Sequence, residues 1–410
     1  MSRRIFITAA EVSGDQHAAE LIRSLLRLDP TLRIEGHGGP RMREAGCHIY
    51  YETTRRAAMG VSALTRVAEM WKLLQWTRKH FVKEPPDLQI CVDSPAMNFH
   101  FARAAKERGA PVLYYIAPQL WAWREGRMEK LRKWVDHVAC ILPFEQKYFE
   151  SHGLKATFVG HPLFDELPKD RVVDALAKYP HRSPIVGLLP GSRRSEATAN
   201  FPHLLDVARR LNHVFPDLSF RVPTTMQTHP FVSEMITRHS LGRFRLNLNK
   251  ITAQQDSFDR IVPECDLCLT VSGTATLHVA SFGVPMIVVY RASPILWNLL
   301  GRWLIKTRTF SLVNLLSDDK RLVPEYVPWY GSNRPVFVHA VDYLKSPEML
   351  MSQRQRLLDL VARLDQEGAS NNTARIAMGL MADSSPTEPF PADPTAACDK
   401  EVARPPQPEP

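Results

Sequence analysis

The chain has 410 residues, 44% of them hydrophobic and 23% charged, with a formal net charge of +9. That length exceeds one small core and suits two α/β domains with additions. No apolar run reaches the roughly eighteen residues of a membrane span, and the short apolar run before Glu11 is too brief for a signal peptide, so cytoplasmic residence is the expectation.

In chain order, strands are expected over 5–9, 33–36, 88–92, 112–116, 137–141 and 156–159, with helices near 16–28, 99–108 and 145–152. This first α/β half closes near Gly160-His161-Pro162. Its first strand runs into Glu11-Val12-Ser13-Gly14-Asp15, where Asp15 is either a helix cap or a group lining a ligand site. The strand over 88–92 runs into Asp93-Ser94-Pro95-Ala96-Met97-Asn98. A carboxylate there is a turn former or a general base, because ligands of doubly wound sheets sit at the carboxyl ends of strands. Gly36-His37-Gly38-Gly39 imitates a dinucleotide loop, but Arg41 takes the third glycine position, and the motif is discounted.

Two basic stretches lie in this half. Over 59–81, Val61, Leu64, Val67, Trp71 and Leu74 follow a helical stripe while Arg66, Lys72, Arg78 and Lys79 lie mostly off it. Either the helix packs on its own domain, or it lies in a lipid interface with Trp71 and Trp76 at headgroup depth. Over 121–135, three tryptophans accompany Arg124, Arg127, Lys130, Arg132 and Lys133, as a solvated face or a second basic surface. Neither stretch contains a nucleic-acid module, and no nucleic-acid partner is expected.

A second alternation begins with a strand at 185–189, followed by a helix over 201–214, a strand over 218–222 and a helix over 230–239. The strand at 185–189 enters Pro190-Gly191-Ser192-Arg193: glycine admits a close backbone, serine offers a hydroxyl and arginine a two-pronged grip on an anion. Residues 270–291 read as the end of a strand, a turn at Ser272-Gly273-Thr274, a helix over 275–282 and a strand over 286–290. A helix starting there directs free N–H groups and about half a unit of positive charge toward an anion, although an unliganded crossover has the same pattern. Two such loops on one sheet suit a nucleotide diphosphate.

The six cysteines show no framework spacing. Cys265 and Cys268 are taken as buried structural thiols whose side chains face opposite sides of a strand. No D-x-D pair occurs, so metal independence is expected and no cofactor is implied. A helical segment over 353–381 returns to the first half, and residues 383–410, with eight prolines and a net charge of −4, form a disordered tail. The resulting domains are 1–165, 166–352 and the returning helices: an α/β architecture of two Rossmann-like, doubly wound domains facing each other across a cleft.

Together, EVSGD (11–15), GGPRM (38–42), MG (59–60), DSPAMN (93–98), APQLWAWR (117–124), LPFE (142–145), VGHPL (159–163), LPGSR (189–193), SGTATL (272–277) and SLVNLL (311–316) resemble the lipid-A-disaccharide synthase family. The resemblance spans about residues 4–380. It implies a GT-B fold and an inverting glycosyltransferase peripheral to the inner face of the cytoplasmic membrane. Such an enzyme joins UDP-2,3-diacylglucosamine to 2,3-diacylglucosamine 1-phosphate and releases UDP. Carried over by position, Gly191, Ser192, Arg193, Ser272, Gly273, Thr274, His278 and Asn314 bind the donor. Asp93 becomes the base, with Glu11 beside it as a catalytic candidate, while Ser13, Gly14 and Asp15 line the acceptor side. Residues Val61, Leu64, Val67, Trp71 and Leu74 contact an anionic membrane surface, and an oligomer is compatible with all of this. The chain departs from the family at His278, where a glutamate suited to ribose is usual, and over 317–328. Two alternatives follow: another GT-B UDP-sugar transferase or epimerase, or a membrane-associated homologue with reduced turnover.

Overall fold

The computed structural model describes residues 2–54, 63–121, 125–167, 183–241, 250–291, 309–317, 321–329, 331–364 and 368–383. The chain forms two units, divided after Glu166 and again after Leu364. Each is built on one parallel sheet.

In the first unit the strands are β1 (Arg4–Ala9), β2 (Arg33–Gly38), β3 (His48–Glu52), β4 (Leu88–Val92), β5 (Val112–Tyr115), β6 (His137–Cys140) and β7 (Ala156–Phe158). They lie in the order β3-β2-β1-β4-β5-β6-β7. The second sheet contains β8 (Ile185–Leu189), β9 (Ser219–Thr224), β10 (Ile251–Gln255), β11 (Leu267–Val271), β12 (Met286–Arg291) and β13 (Glu325–Trp329), in the order β10-β9-β8-β11-β12-β13. Every pairing is parallel. Apolar runs produce the central strands: all five residues of both β4 and β11 are buried. Helices on both faces cover such strands, which therefore read as continuous hydrophobic runs.

Three strands, β3, β10 and β13, are absent from the sequence expectations, and all three are sheet edges. They read HIYYE, ITAQQ and EYVPW, with one buried residue each. An edge strand is only partly covered, so its sequence carries neither an apolar run nor a clean alternation, and Pro328 is tolerated at an edge.

The returning segment divides differently from the expectation. Helix Pro347–Leu364 stays in the second unit, where Gln353 accepts from Met286 N at 2.7 Å and Arg354 donates to Gly283 O at 3.2 Å. Only Ala369–Asp383 belongs to the first unit. There the Asp165 carboxylate accepts from the backbone N–H groups of Gly368, Ala369 and Ser370 at 2.6, 3.2 and 3.0 Å. Ala369, Ala374, Ala377 and Met381 then enter the core formed by Leu21, Ile22 and Leu25 of helix Val12–Leu28. Full burial of Leu21, Ile22 and Leu25 contributes about 1.5–3 kcal/mol each, and the alanines of the last helix let it approach them closely.

The cysteine reading also needs correction. A 3-10 turn, Val262–Glu264, precedes β11, so strand alternation does not apply at Cys265. Both thiols converge over Gly187, where a Cβ would meet Cys268 Sγ at 2.7 Å and Cys265 Sγ at 3.2 Å. The Cys268 thiol alongside and burial together hold Cys265 well above the usual thiol range, which makes it a packing group.

Candidate functional site

In each sheet the strand order reverses direction at one place, between β1 and β4 and between β8 and β11. A crevice outside the carboxyl ends of those strands is where doubly wound sheets bind ligands. Four of the sequence motifs lie there: EVSGD after β1, DSPAMN after β4, LPGSR after β8 and SGTATL after β11.

In the first unit, Ala9 pairs with Val92, so Glu11 and Asp93 follow the paired ends of neighbouring strands. Glu11 is the N-cap residue of helix Val12–Leu28, and its side chain makes no capping hydrogen bond. Asp93 and Ser94 have φ of +51° and +44°, and Ile116 at the end of β5 has +59°. Left-handed backbone at three non-glycine residues, one of them β-branched, costs on the order of 1–3 kcal/mol each and collects at functional sites. A buried polar network holds the bend. Asn98 Nδ2 donates to Val92 O at 2.9 Å and Asp93 O at 2.6 Å, and Asn98 Oδ1 accepts from Thr8 Oγ1 at 2.7 Å. Gln89 donates to Thr8 Oγ1 at 3.0 Å, and Tyr114 OH donates to Asp93 O at 2.8 Å. Burial keeps the Tyr114 phenol well above its usual range, so it remains a donor.

Asp15 has a different role from lining the crevice. It is buried, and its carboxylate accepts from the backbone N–H groups of Gly39, Arg41 and Met42 at 2.8, 3.1 and 3.1 Å. It thus caps the helix Pro40–Glu44 from across the fold and joins the EVSGD and GGPRM segments. A Cβ at Gly39 would meet Asp15 Oδ2 at 2.5 Å. Replacing Asp15 by Ala orphans three amides and is expected to cost about 1–3 kcal/mol of stability, read as a lower midpoint in urea. Gly14 is buried behind it, and Ser13 is exposed.

In the second unit, Gly191 has φ +109° and Gly273 has φ +134°. Gly273 is the N-cap of helix Thr274–Ser281 without a side-chain cap, and the space beside it is open among the described residues. Ser272 Oγ donates to Phe310 O at 2.7 Å. Arg193 is largely exposed, with Nη1 3.3 Å from Glu196 Oε1, and Ser192 O accepts from Thr225 Oγ1 at 3.1 Å. Asn314 departs from the donor-contact expectation. It is 2% exposed, accepts from Val323 N at 2.8 Å, and donates to Val323 O and Glu325 Oε2 at 2.9 Å each. Glu325 also accepts from Phe310 N at 2.6 Å and Ser311 Oγ at 2.9 Å, so Asn314 and Glu325 brace the backbone that holds Ser272.

His278 is stacked between Phe258 and Phe282, with centroid distances of 4.4 and 5.4 Å, and its Nε2 lies 2.8 Å from Asp259 Oδ1. The His278 ring alongside lowers the Asp259 carboxyl below its ordinary range. A fixed negative charge therefore stands beside His278, supplied by another segment.

The helix Ala63–Lys83 corrects the proposed lipid stripe. Leu74 is buried, as is Trp76, which stacks on His80 at 5.0 Å; Trp71 is 62% exposed. Val61 lies outside the described residues, as do the side chains of Leu64 and Val67. His37 anchors this helix through a 2.9 Å contact between its Nε2 and Thr77 Oγ1, and burial lowers its pKa to about 3. None of the described helices is long and apolar enough to cross a membrane.

Sequence reasoning missed Asn98, Tyr114, Asp259, Glu325 and Glu145 as organisers. The signal for Glu145 was its place three residues after Leu142, since Glu at that helix position reaches back to the N-cap. Its carboxylate accepts from Leu142 N at 3.1 Å and Trp121 Nε1 at 3.0 Å, joining the LPFE and APQLW segments. Burial pushes Glu145 up to about 7 from 4.5. The folded state then holds a proton that the unfolded chain has released, so this contribution to stability is full below pH 4.5 and lost as pH rises through 7. Relative to Glu145→Gln, the natural protein should lose up to about 1.4 kcal/mol per pH unit across that window in urea titrations. A pH-independent difference between the two proteins contradicts this.

Residues 5–378 match the family model described as lipid-A-disaccharide synthetase. The chain is 36% identical to a lipid-A-disaccharide synthase of Geobacter sulfurreducens over 93% of its own length and 98% of that protein. It is 30% identical to one from Coxiella burnetii over 93% and 99%. Among solved structures it is similar to a UDP-GlcNAc 2-epimerase from Neisseria meningitidis bound to UDP-GlcNAc, with a TM-score of 0.56 and 12% identity over 93% of this chain and 100% of that one. It is also similar to the calicheamicin glycosyltransferase CalG4, with a TM-score of 0.52 and 14% identity over 93% and 98%. These likenesses establish the GT-B fold, and with the family match they give the conclusion that the chain belongs to the lipid-A-disaccharide synthase family of glycosyltransferases.

Proposed function

We propose that the protein transfers a 2,3-diacylglucosamine residue from UDP to the 6-hydroxyl of 2,3-diacylglucosamine 1-phosphate, inverting the anomeric carbon. The family match carries the reaction class. The arrangement at β4 carries the role of Asp93, a carboxylate held on a left-handed bend at the carboxyl end of a central strand. Asp93 takes the proton from the acceptor hydroxyl as its oxygen forms the new C–O bond to the anomeric carbon and the bond to UDP breaks. Glu11, at the end of the neighbouring strand, is the second carboxylate on the acceptor side.

The departing diphosphate lies against the loop after β8 and the N-terminus of helix Thr274–Ser281. Backbone N–H groups and Arg193 meet its charge, and no metal is required. EDTA should therefore leave the rate within about twofold of its untreated value, the spread left when no charge-stabilising group is removed. His278 binds the ribose with Asp259 beside it supplying the charge a glutamate would bring, and this pairing favours an active transferase over a homologue with reduced turnover.

Trp71 and the exposed Lys72 and Lys79 face an anionic membrane surface at the inner side of the cytoplasmic membrane, where both lipid substrates reside. Trp71→Ser should weaken partitioning onto anionic vesicles by about tenfold, the loss of one large apolar side chain from the interface. Equal partitioning of the two proteins contradicts the placement.

Acceptor dependence of UDP release tests the function. With the acylated donor alone UDP should accumulate only slowly, and adding the acylated monosaccharide phosphate should accelerate its release by at least about 100-fold, the minimum worth of an engaged general base. Release that ignores the acceptor indicates a hydrolase, and interconversion of unacylated UDP-GlcNAc indicates an epimerase.

A further inference from the structure

We propose that Asn98 is the positioning residue of the acceptor site, acting through the backbone of Asp93; the inference rests on the reading of Asp93 as the base. Asn98 is fully buried and sits one turn into the helix Pro95–Lys106, where side chains lean back toward the helix start. It does not cap that helix. Both amide protons go to consecutive carbonyls, Val92 O and Asp93 O, the last residue of β4 and the first of the bend. The reverse amide orientation would set an oxygen against those two carbonyls, so the contacts fix it, and Thr8 Oγ1 completes the arrangement at Oδ1.

Tyr114 OH adds a second hydrogen bond to Asp93 O from the neighbouring strand. The Asp93 carbonyl is thus gripped from two elements, while Asp93 N donates to Tyr115 O at 3.0 Å. With its own N–H and C=O both tied, the peptide planes on either side of Asp93 are set, and so is the direction of its Cα–Cβ bond. Aspartate enters the left-handed region singly, but Asp93 and Ser94 occupy it consecutively, an arrangement that needs support from outside the bend. Without Asn98 the bend relaxes and the carboxylate swings from the acceptor hydroxyl, while the surfaces that bind the two substrates stay in place. The consequence is a fall in turnover without a fall in affinity.

The test separates positioning from folding. Asn98→Ala should lower kcat by about 100-fold, the cost of an ångström-scale misplacement of a reacting group, with KM for both substrates within about twofold of the natural protein. Adding Ser94→Gly, which accepts a left-handed bend without strain, should return the melting temperature toward the natural value and leave kcat low. Recovery of kcat together with melting temperature, or a rise in KM with kcat intact, overturns the proposal. Should Asn98→Ala not fold, Tyr114→Phe removes one of the two grips with the ring retained, and should show the same kcat-against-KM split at about tenfold. Asp93→Asn measured alongside distinguishes the two readings. If it is fully active, the base assignment falls; if it is inactive while Asn98→Ala/Ser94→Gly turns over normally, only the positioning role falls.

Discussion

Asp93→Asn should lower kcat by about 100- to 10,000-fold while the protein folds, binds UDP and melts as the natural chain does. The substitution is informative because of the backbone it sits on. Asp93 has φ +51°, a conformation that asparagine tolerates as well as aspartate, so the bend after β4 gains no strain. Asp93 N and O are held by Tyr115, Asn98 and Tyr114 through the main chain, and those bonds survive the exchange. What changes is the loss of one ionisable oxygen at the carboxyl end of a central strand. A fall in kcat with unchanged melting and unchanged UDP affinity therefore reports on proton transfer. Full activity in the variant removes Asp93 from the mechanism.

Gly273→Ala should weaken UDP binding by about 5- to 150-fold, equivalent to roughly 1–3 kcal/mol of lost conformation. Gly273 has φ +134° and ψ −162°, a region open almost only to glycine. Among the described residues nothing lies within 4 Å of the position a Cβ would take, so the effect is not a clash. It comes from the turn itself, which must flip and carry the first N–H groups of helix Thr274–Ser281 away from the diphosphate. Gly331→Ala is the matching control: it too places alanine on a glycine of positive φ, +87°, with nothing within 4 Å of a Cβ among the described residues, and it is remote in sequence from both loops. It should cost similar stability and leave UDP affinity unchanged. Equal UDP binding by Gly273→Ala and the natural protein contradicts the cradle.

The central strands and the glycine turns that follow β8 and β11 were legible in the sequence because their causes are local. An apolar run such as that of β11 followed by Ser272-Gly273-Thr274 contains its own strand, turn and helix start. Edge strands β3, β10 and β13 were not legible, because half-covered strands lack that signature. At the sites, residue types were legible but partners were not. Asp15 looked like a group available to substrate, yet three amides more than twenty residues away in sequence consume its carboxylate. Asn314 looked like a ligand contact and is a brace. His278 reads in the sequence as a lost charge, whereas in the fold Asp259, nineteen residues earlier, stands beside it. Such pairings depend on how separate segments are brought together, which no local pattern encodes. The same reason hid the division of the C-terminal helices, since Gln353 and Asp165 choose their partners by tertiary contact.

The structure of the product tests the central claim most directly. Incubating the purified protein with the α-linked UDP-diacylglucosamine and the acylated monosaccharide phosphate, then resolving the product's linkage and anomer by NMR, should give one β-1,6-linked disaccharide for each UDP released. An α-linked product would contradict single displacement with Asp93 as base, and UDP without disaccharide would contradict transfer to this acceptor.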